Sequence, residues 1–209
     1  LARARELGLD GEALARIGRS SGRPAWRAVG QLARQELDVM ALENVLDYGE
    51  LVLRAVQRAR EPDVQRALHA RFRAIYIDEY QDTDRLQGAL VRALVGPGCT
   101  LVAVGDPDQA IYGFRGADVD GLLSFPSTFR TSDGQPAPVV VLRSTRRFGP
   151  RIRAAAGVAL GPRLPTGLPV DVMRRHRTPE CAPVADPENR DLVDLRTYGD
   201  RGAQAAHVA

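Results

Sequence analysis

The sequence predicts an α/β fold built on a parallel sheet, and three observations lead there. Two short apolar runs, Ala74 to Ile77 and Thr100 to Val104, are rich in β-branched residues, and each breaks off abruptly into acidic and glycine-bearing segments. An unbroken apolar run is expected of a parallel strand covered on both faces, and ligands in such sheets lie beyond the carboxyl ends of the strands. Between the runs stands one amphipathic stretch with short connections, an order that implies a right-handed parallel crossover.

The elements follow in order. Residues 1 to about 40, rich in Ala, Arg and Leu, read as helix, loop, helix, with a break from Gly18 to Pro24 and Trp26 as a core anchor. Asp47, followed three residues later by Glu50, is a capping pattern that starts a stronger helix. Leu51, Ala55 and Ala59 share one face of it, and Pro62 stops it. A short helix from Asp63 to Ala70 leads into the first strand. Asp84 and Gln87 repeat the capping logic, Leu86, Leu90 and Leu94 supply an apolar stripe, and Gly96-Pro97-Gly98 ends that helix before the second strand.

Another helix is expected from near Asp118 to just before Pro126, then a polar loop from Thr128 to Pro138. Val139 to Leu142 reads as a third strand, and Pro150 to Leu160 as a helix with proline at its entry. From Gly161 to Asn189 the chain is dense in Pro, Arg and Gly and shows no clear period, which reads as a linker or extended connection. Leu192 to Tyr198 reads as a strand, followed by the first turns of a helix.

Composition narrows the class. The chain has 209 residues, a net charge of +3 and no lysine, so all 29 basic residues are arginine. This balance permits nucleic-acid binding without demanding it. Cys99 and Cys181 lie far apart and form no CxxC spacing, so no disulfide framework or zinc site is signalled, and a reducing, cytoplasmic compartment fits. No run approaches a membrane span and no signal peptide is evident, so a soluble protein is expected. The start at Leu1 and the helical ending read as a piece of a longer protein.

Two constellations carry chemistry. Asp78 and Glu79 emerge together at a predicted strand end, where one carboxylate suits a magnesium ion held through water and the other suits the water that attacks a γ-phosphate. The plain alternative is a pair of solvated carboxylates serving a helix dipole. The second constellation, Gly105 to Ala117, follows the next strand and should lie beside the first. Gln109 offers an amide to a γ-phosphate or its attacking water. Tyr112 and Phe114, spaced i, i+2, could present ring faces to the bases of single-stranded DNA, or could plug a core. Arg115 could pair with a site carboxylate or reach a phosphate.

The segments Ile77-Asp78-Glu79-Tyr80-Gln81-Asp82-Thr83 and Val104 to Ala117 resemble motifs II and III of the UvrD/Rep/PcrA-type superfamily 1 helicases. Leu46 to Leu51 resembles the segment that precedes motif II, and Leu142 to Pro150 is similar to motif IV. The Arg-Arg-Phe-Gly-Pro ending and the Asp106-Pro107-Asp108-Gln109 form look closest to actinobacterial members, including the subunits of the AdnAB helicase-nuclease. The similarity covers about residues 41 to 160 and extends more weakly through 191 to 209.

The resemblance implies a RecA-like P-loop NTPase motor domain, incomplete in this stretch. Residues 1–70 would form a helical accessory segment and the return into the motor, 71–160 part of the first RecA-like domain, 161–190 the connection, and 191–209 the start of a second RecA-like domain. It implies ATP and Mg2+ as cofactors and single-stranded DNA and its junctions with duplex as partners, with a second helicase-nuclease subunit possible. Asp78 would hold the metal and Glu79 act as base. Gln109 would sense the γ-phosphate, Tyr112 and Phe114 stack on DNA, Arg115 join the polar network around the acidic pair, and Arg147 reach the γ-phosphate.

Phe114 stands where the family usually has tryptophan. Thr145-Arg146-Arg147 stands where many members have Asn-Tyr-Arg, so a one-residue shift of register would move the finger to Arg146. A phosphate-binding loop with its lysine, which the family carries upstream, and motifs V and VI, which it carries downstream, do not occur in this sequence. The stretch by itself is therefore expected not to hydrolyse ATP effectively. The implied activity is that of an ATP-driven 3′ to 5′ DNA helicase or translocase in repair or recombination. The alternative is a non-motor structural or DNA-binding subunit that keeps the fold.

Overall fold

In the computed structural model, which describes residues 4, 9–183 and 191–208, the chain divides into two compact units, Leu1–Pro138 and Val139–Ala209. The first begins with a helical pair. Asp10 caps α1 (Gly11–Ser20) by accepting the Ala13 N–H at 2.7 Å, and α2 (Pro24–Glu43) starts on its proline and closes on Asn44 in the left-handed region.

These helices meet backbone to backbone. A Cβ built on Gly11 would stand 2.5 Å from the Gly30 carbonyl oxygen, and one on Gly30 would stand 2.4 Å from that of Gly11. Leu14, Ala15 and Ala33 fill the remaining seam. Because small residues set this contact, Trp26 is left at its margin, 39% exposed. The expected core anchor is thus corrected: the core of the pair is built from Gly, Ala and Leu14.

Asp47 caps α3 (Tyr48–Ala59), accepting the Glu50 N–H at 2.7 Å, and the buried Glu50 carboxylate takes a hydrogen bond from Arg54 Nε. The inner face carries Glu50, Val56 and Ala59, with Leu51 half-exposed at 50%, so it is rotated from the expected Leu51, Ala55, Ala59 stripe. A short α4 (Pro62–Arg71) follows, and His69 Nε2 meets the Ala93 carbonyl at 3.0 Å. That contact ties α4 to α5 (Arg85–Leu94), whose first turn is closed by a reciprocal capping box between Asp84 and Gln87. The α5 core face is Leu86, Ala89 and Ala93, packed toward α3.

Strands β1 (Ala74–Ile77) and β2 (Thr100–Ala103) pair in parallel, with Ala74 opposite Thr100 and Ile77 opposite Ala103. Ile75 and Ile77 are half-buried, whereas Ala74 and Tyr76 are exposed, Tyr76 at 75%. The expected cover on both faces is therefore not supplied by the described residues. Only one face of the two-stranded sheet is packed among the described residues, although the residues themselves are of buried-strand type.

The helix expected from Asp118 is two short ones, α6 (Val119–Leu123) and α7 (Phe125–Thr128), with Pro126 accommodated in the first turn of the second, where its missing N–H costs nothing.

In the second unit the residues from Val139 to Leu142 form no strand. Val140 is 83% and Leu142 76% exposed, and pairing begins only at β3 (Ser144–Thr145), which lies parallel to β4 (Glu180–Cys181). A β-branched run becomes a strand only where a partner is present. Helix α8 (Pro150–Leu160) has the predicted bounds. The stretch read as aperiodic contains α9 (Val170–Arg177), which buries Val172 and Met173, as well as β4. Leu192 to Tyr198 is irregular rather than a strand, and α10 (Arg201–Val208) follows. No helix among the described residues is long and apolar enough to cross a membrane.

Candidate functional site

The parallel ladder sets the site. Beyond the strands it continues through Val104 N–H to the Ile77 carbonyl at 2.8 Å and Tyr80 N–H to the Val104 carbonyl at 2.9 Å. Asp78 and Glu79 therefore leave β1 alongside Gly105 and Asp106 leaving β2, both at the carboxyl end of the sheet. The two sequence constellations are neighbours, as their spacing predicted.

Asp78 and Glu79 are both exposed, and Asp78 Oδ1 accepts the Glu79 N–H at 2.9 Å. Glu79 has φ +50°, and among the described non-glycine residues only Asn44 shares that region. Asparagine enters the left-handed region readily, but a glutamate there carries strain, and such residues persist only where their surroundings over-determine them. Here the side chain is held: Glu79 Oε2 accepts from Gln81 Nε2 at 2.6 Å. Asp78 Oδ2 and Glu79 Oε1 take no hydrogen bond, and neither residue an ion pair, among the described residues. Exposed, oxygen-only donors of this kind suit a hard cation such as Mg2+ held largely through water.

Gln81 is the residue that sequence reasoning missed. It is 1% exposed, and its Oε1 accepts the Asp106 N–H at 3.0 Å while its Nε2 donates to Glu79. Gly105 makes room for it, since a Cβ there would lie 2.8 Å from Gln81 Oε1. Asp106 in turn accepts the Asp108 N–H at 2.9 Å and Gln109 Nε2 at 2.7 Å. The sequence signal was only the position of an amide beside the acidic pair. Its burial depends on the second strand, which no local pattern reveals.

The far end of the glycine-rich segment is also pinned to the acidic one. The Asp118 N–H donates to the Thr83 carbonyl at 3.0 Å, and Arg85 Nε meets Asp118 Oδ2 at 2.9 Å. Between these anchors the chain bears its large apolar residues outward, with Phe114 79%, Ile111 68% and Tyr112 38% exposed. The core-plug alternative for the two rings finds no support in that exposure. The Arg115 guanidinium lies 5.5 Å from the Tyr112 ring centroid and 5.6 Å from that of Phe114. It makes no ion pair with Asp78 or Glu79 among the described residues and lies instead beside the two rings.

Tyr80 anchors the turn from below. It is 3% exposed, meets Phe125 edge-on at 5.3 Å, and lines a cleft of about 340 Å³ with Thr83, Arg85, Arg92, Asp118 and Ser124. Burial raises its phenol above the ordinary 10.0, with nearby Arg92 opposing and Asp118 reinforcing the shift.

Arg147 belongs to the second unit. Its N–H donates to Thr145 Oγ1 at 3.3 Å just beyond β3, and both Arg146 and Arg147 are exposed. The following helix is fixed by the buried Asp191, whose carboxylate accepts the Arg151 and Ile152 N–H groups at 3.1 and 2.9 Å. A Cβ on Gly149 would lie 2.3 Å from Asp191 Cγ, so glycine is required at that approach.

Comparison with known proteins bears on this arrangement. The chain is 38% identical over 91 residues to the ATP-dependent DNA helicase PcrA of Staphylococcus aureus, covering 43% of this chain and 12% of that protein. It is 38% identical over 112 residues to PcrA of Bacillus subtilis, covering 53% of this chain and 14% of the relative. Identity to DNA helicase II of Salmonella typhimurium is 38% over 105 residues, 50% of this chain and 14% of the relative. The matched region thus spans 12–14% of the length of these curated relatives. Residues 2–130, with the carboxylate pair, the buried amide and the exposed rings, match the UvrD/REP helicase N-terminal domain, and the chain belongs to that family.

Proposed function

We propose that this chain is part of an ATP-dependent DNA helicase or translocase, moving 3′ to 5′ on single-stranded DNA in repair or recombination. The observation that carries the reading is the junction at the carboxyl ends of β1 and β2, where exposed carboxylates meet a segment that displays aromatic rings. Residues 71–160 would contribute to a RecA-like motor domain, residues 1–70 to an accessory region, and residues 191–209 to a second motor domain, joined through 161–190.

Each side chain has a role in this reading. Asp78 holds Mg2+ through water, and Glu79 accepts the proton of the water that attacks the γ-phosphate. A bound Mg2+ would neutralise developing charge on the transferred phosphoryl group. Gln109, reached through Asp106, orients the attacking water or the γ-phosphate. Tyr112 and Phe114 stack on bases, and the Arg115 guanidinium beside their rings joins the polar network around the acidic pair or meets a DNA phosphate. Arg147, or Arg146 in the shifted register, supplies the γ-phosphate arginine. Partners are single-stranded DNA and its junctions with duplex, with a second helicase-nuclease subunit of the AdnAB kind as a candidate, in the cytoplasm.

The test is ATP turnover by the full-length parent with and without single-stranded oligonucleotide. Turnover stimulated by DNA is expected. A parent that binds DNA but does not hydrolyse ATP, with the phosphate-loop lysine replaced, would instead identify a structural or DNA-binding subunit.

A further inference from the structure

We infer that Gln81 is a positioning residue that couples the Glu79 carboxylate to the glycine-rich segment; this deepens the function proposed above and rests on it. A carboxylate needs a donor and a backbone N–H needs an acceptor, so the two partners of Gln81 fix its amide orientation. The distances are 2.6 Å to Glu79 Oε2 and 3.0 Å from Asp106 N. A primary amide supplies both functions from one rigid plane, which neither an ionised carboxylate nor an apolar side chain does.

Three features mark the bridge as built. Gln81 is 1% exposed, so its amide cannot turn to water when a partner is lost, and such a loss is costly. Gly105 leaves the space that its carbonyl oxygen occupies. Glu79 is held at φ +50°, a conformation that needs external support, and Gln81 contacts the end of its side chain. Asp106, on the other side of the bridge, carries the Gln109 amide, and the same segment runs on to Tyr112 and Phe114. Displacement of the ring-bearing segment is thereby transmitted to the base through one side chain.

The experiment uses the full-length parent and compares wild type, Gln81→Glu, Gln81→Met and, as a control, Glu79→Gln. Gln81→Glu keeps an acceptor for the Asp106 N–H but loses the donor to Glu79; Gln81→Met keeps the volume and loses both. The expected result is a fall in DNA-stimulated kcat on the order of tenfold to a hundredfold, the scale of a small misplacement of a reacting group. The KM for ATP and the binding of a fluorescent ATP analogue should stay near wild type, and stimulation by oligonucleotide should shrink. Should Gln81→Met fold poorly, Gln81→Glu carries the test. Kcat and stimulation within twofold of wild type in a folded variant, with Glu79→Gln inactive, overturn the role of Gln81 alone. Normal turnover by Glu79→Gln overturns the underlying reading, and this inference with it.

Discussion

The Tyr112 and Phe114 rings stand 6.1 Å apart between centroids, tilted 45° to one another, with Phe114 79% exposed. Two rings held this way with a guanidinium beside them form a surface that suits a base, and stacking on such a surface contributes about 1–3 kcal/mol per base. Phe114→Ala is accordingly expected to weaken binding of a labelled single-stranded oligonucleotide by the parent about tenfold, read by fluorescence anisotropy. Phe114→Trp should bind at least as well as the wild type, because the indole offers more stacking area. Unchanged affinity in the alanine variant would remove the rings from the DNA surface.

In the second unit the energetics turn on Asp191. Its buried carboxylate satisfies two of the N–H groups that open α8, groups that would otherwise lack partners. Asp191→Ala should lower stability by about 1–2 kcal/mol, the usual range for losing a capping side chain. A shift of the urea midpoint at unchanged slope is the readout, and an unmoved midpoint would show that water replaces the carboxylate without loss.

How much of this was legible in the sequence differs by element, for physical reasons. The Asp84–Gln87 capping box was readable because its two partners lie three residues apart, and the start of α8 because Pro150 marks it locally, although distant Asp191 completes it. The juxtaposition of Asp78 and Glu79 with Gly105 and Asp106 was readable because parallel strands joined by one helix must end side by side. Val139 to Leu142 misled, since strand propensity without a partner decides nothing. Helix α9 was hidden because only Val172 and Met173 mark its buried side, in a segment otherwise dominated by charge. Trp26 misled in the opposite sense, because the glycine contacts that exclude it lie nineteen positions apart, at Gly11 and Gly30. Gln81 is the most instructive omission: polar in type and core in location, it owes its burial to residues more than twenty positions away.

Tyr80 gives the structure a signature at alkaline pH. Burial raises its phenol above 10.0, so the folded state disfavours the phenolate relative to the unfolded chain. The sign follows directly. The stability contributed by the neutral phenol is fully present below the unfolded value of 10.0 and is lost as pH rises through the higher folded value. Tyr80→Phe should therefore flatten the loss of stability above pH 10.0 while leaving its dependence below that value unaltered. Parallel alkaline curves for the two proteins, measured by urea denaturation, would contradict the assignment.

In the function proposed above, the Glu79 carboxylate held at the end of β1 is the base of an ATP-driven DNA motor. Glu79→Gln in the full-length parent tests it most directly, because the substitution preserves size and hydrogen-bonding reach while removing the charge. The measurement is steady-state ATP hydrolysis at saturating single-stranded DNA, alongside binding of a fluorescent ATP analogue. Turnover should fall by at least about a hundredfold, with nucleotide binding retained, as expected when a base acts in the chemical step. Turnover equal to wild type, with binding intact, would contradict it.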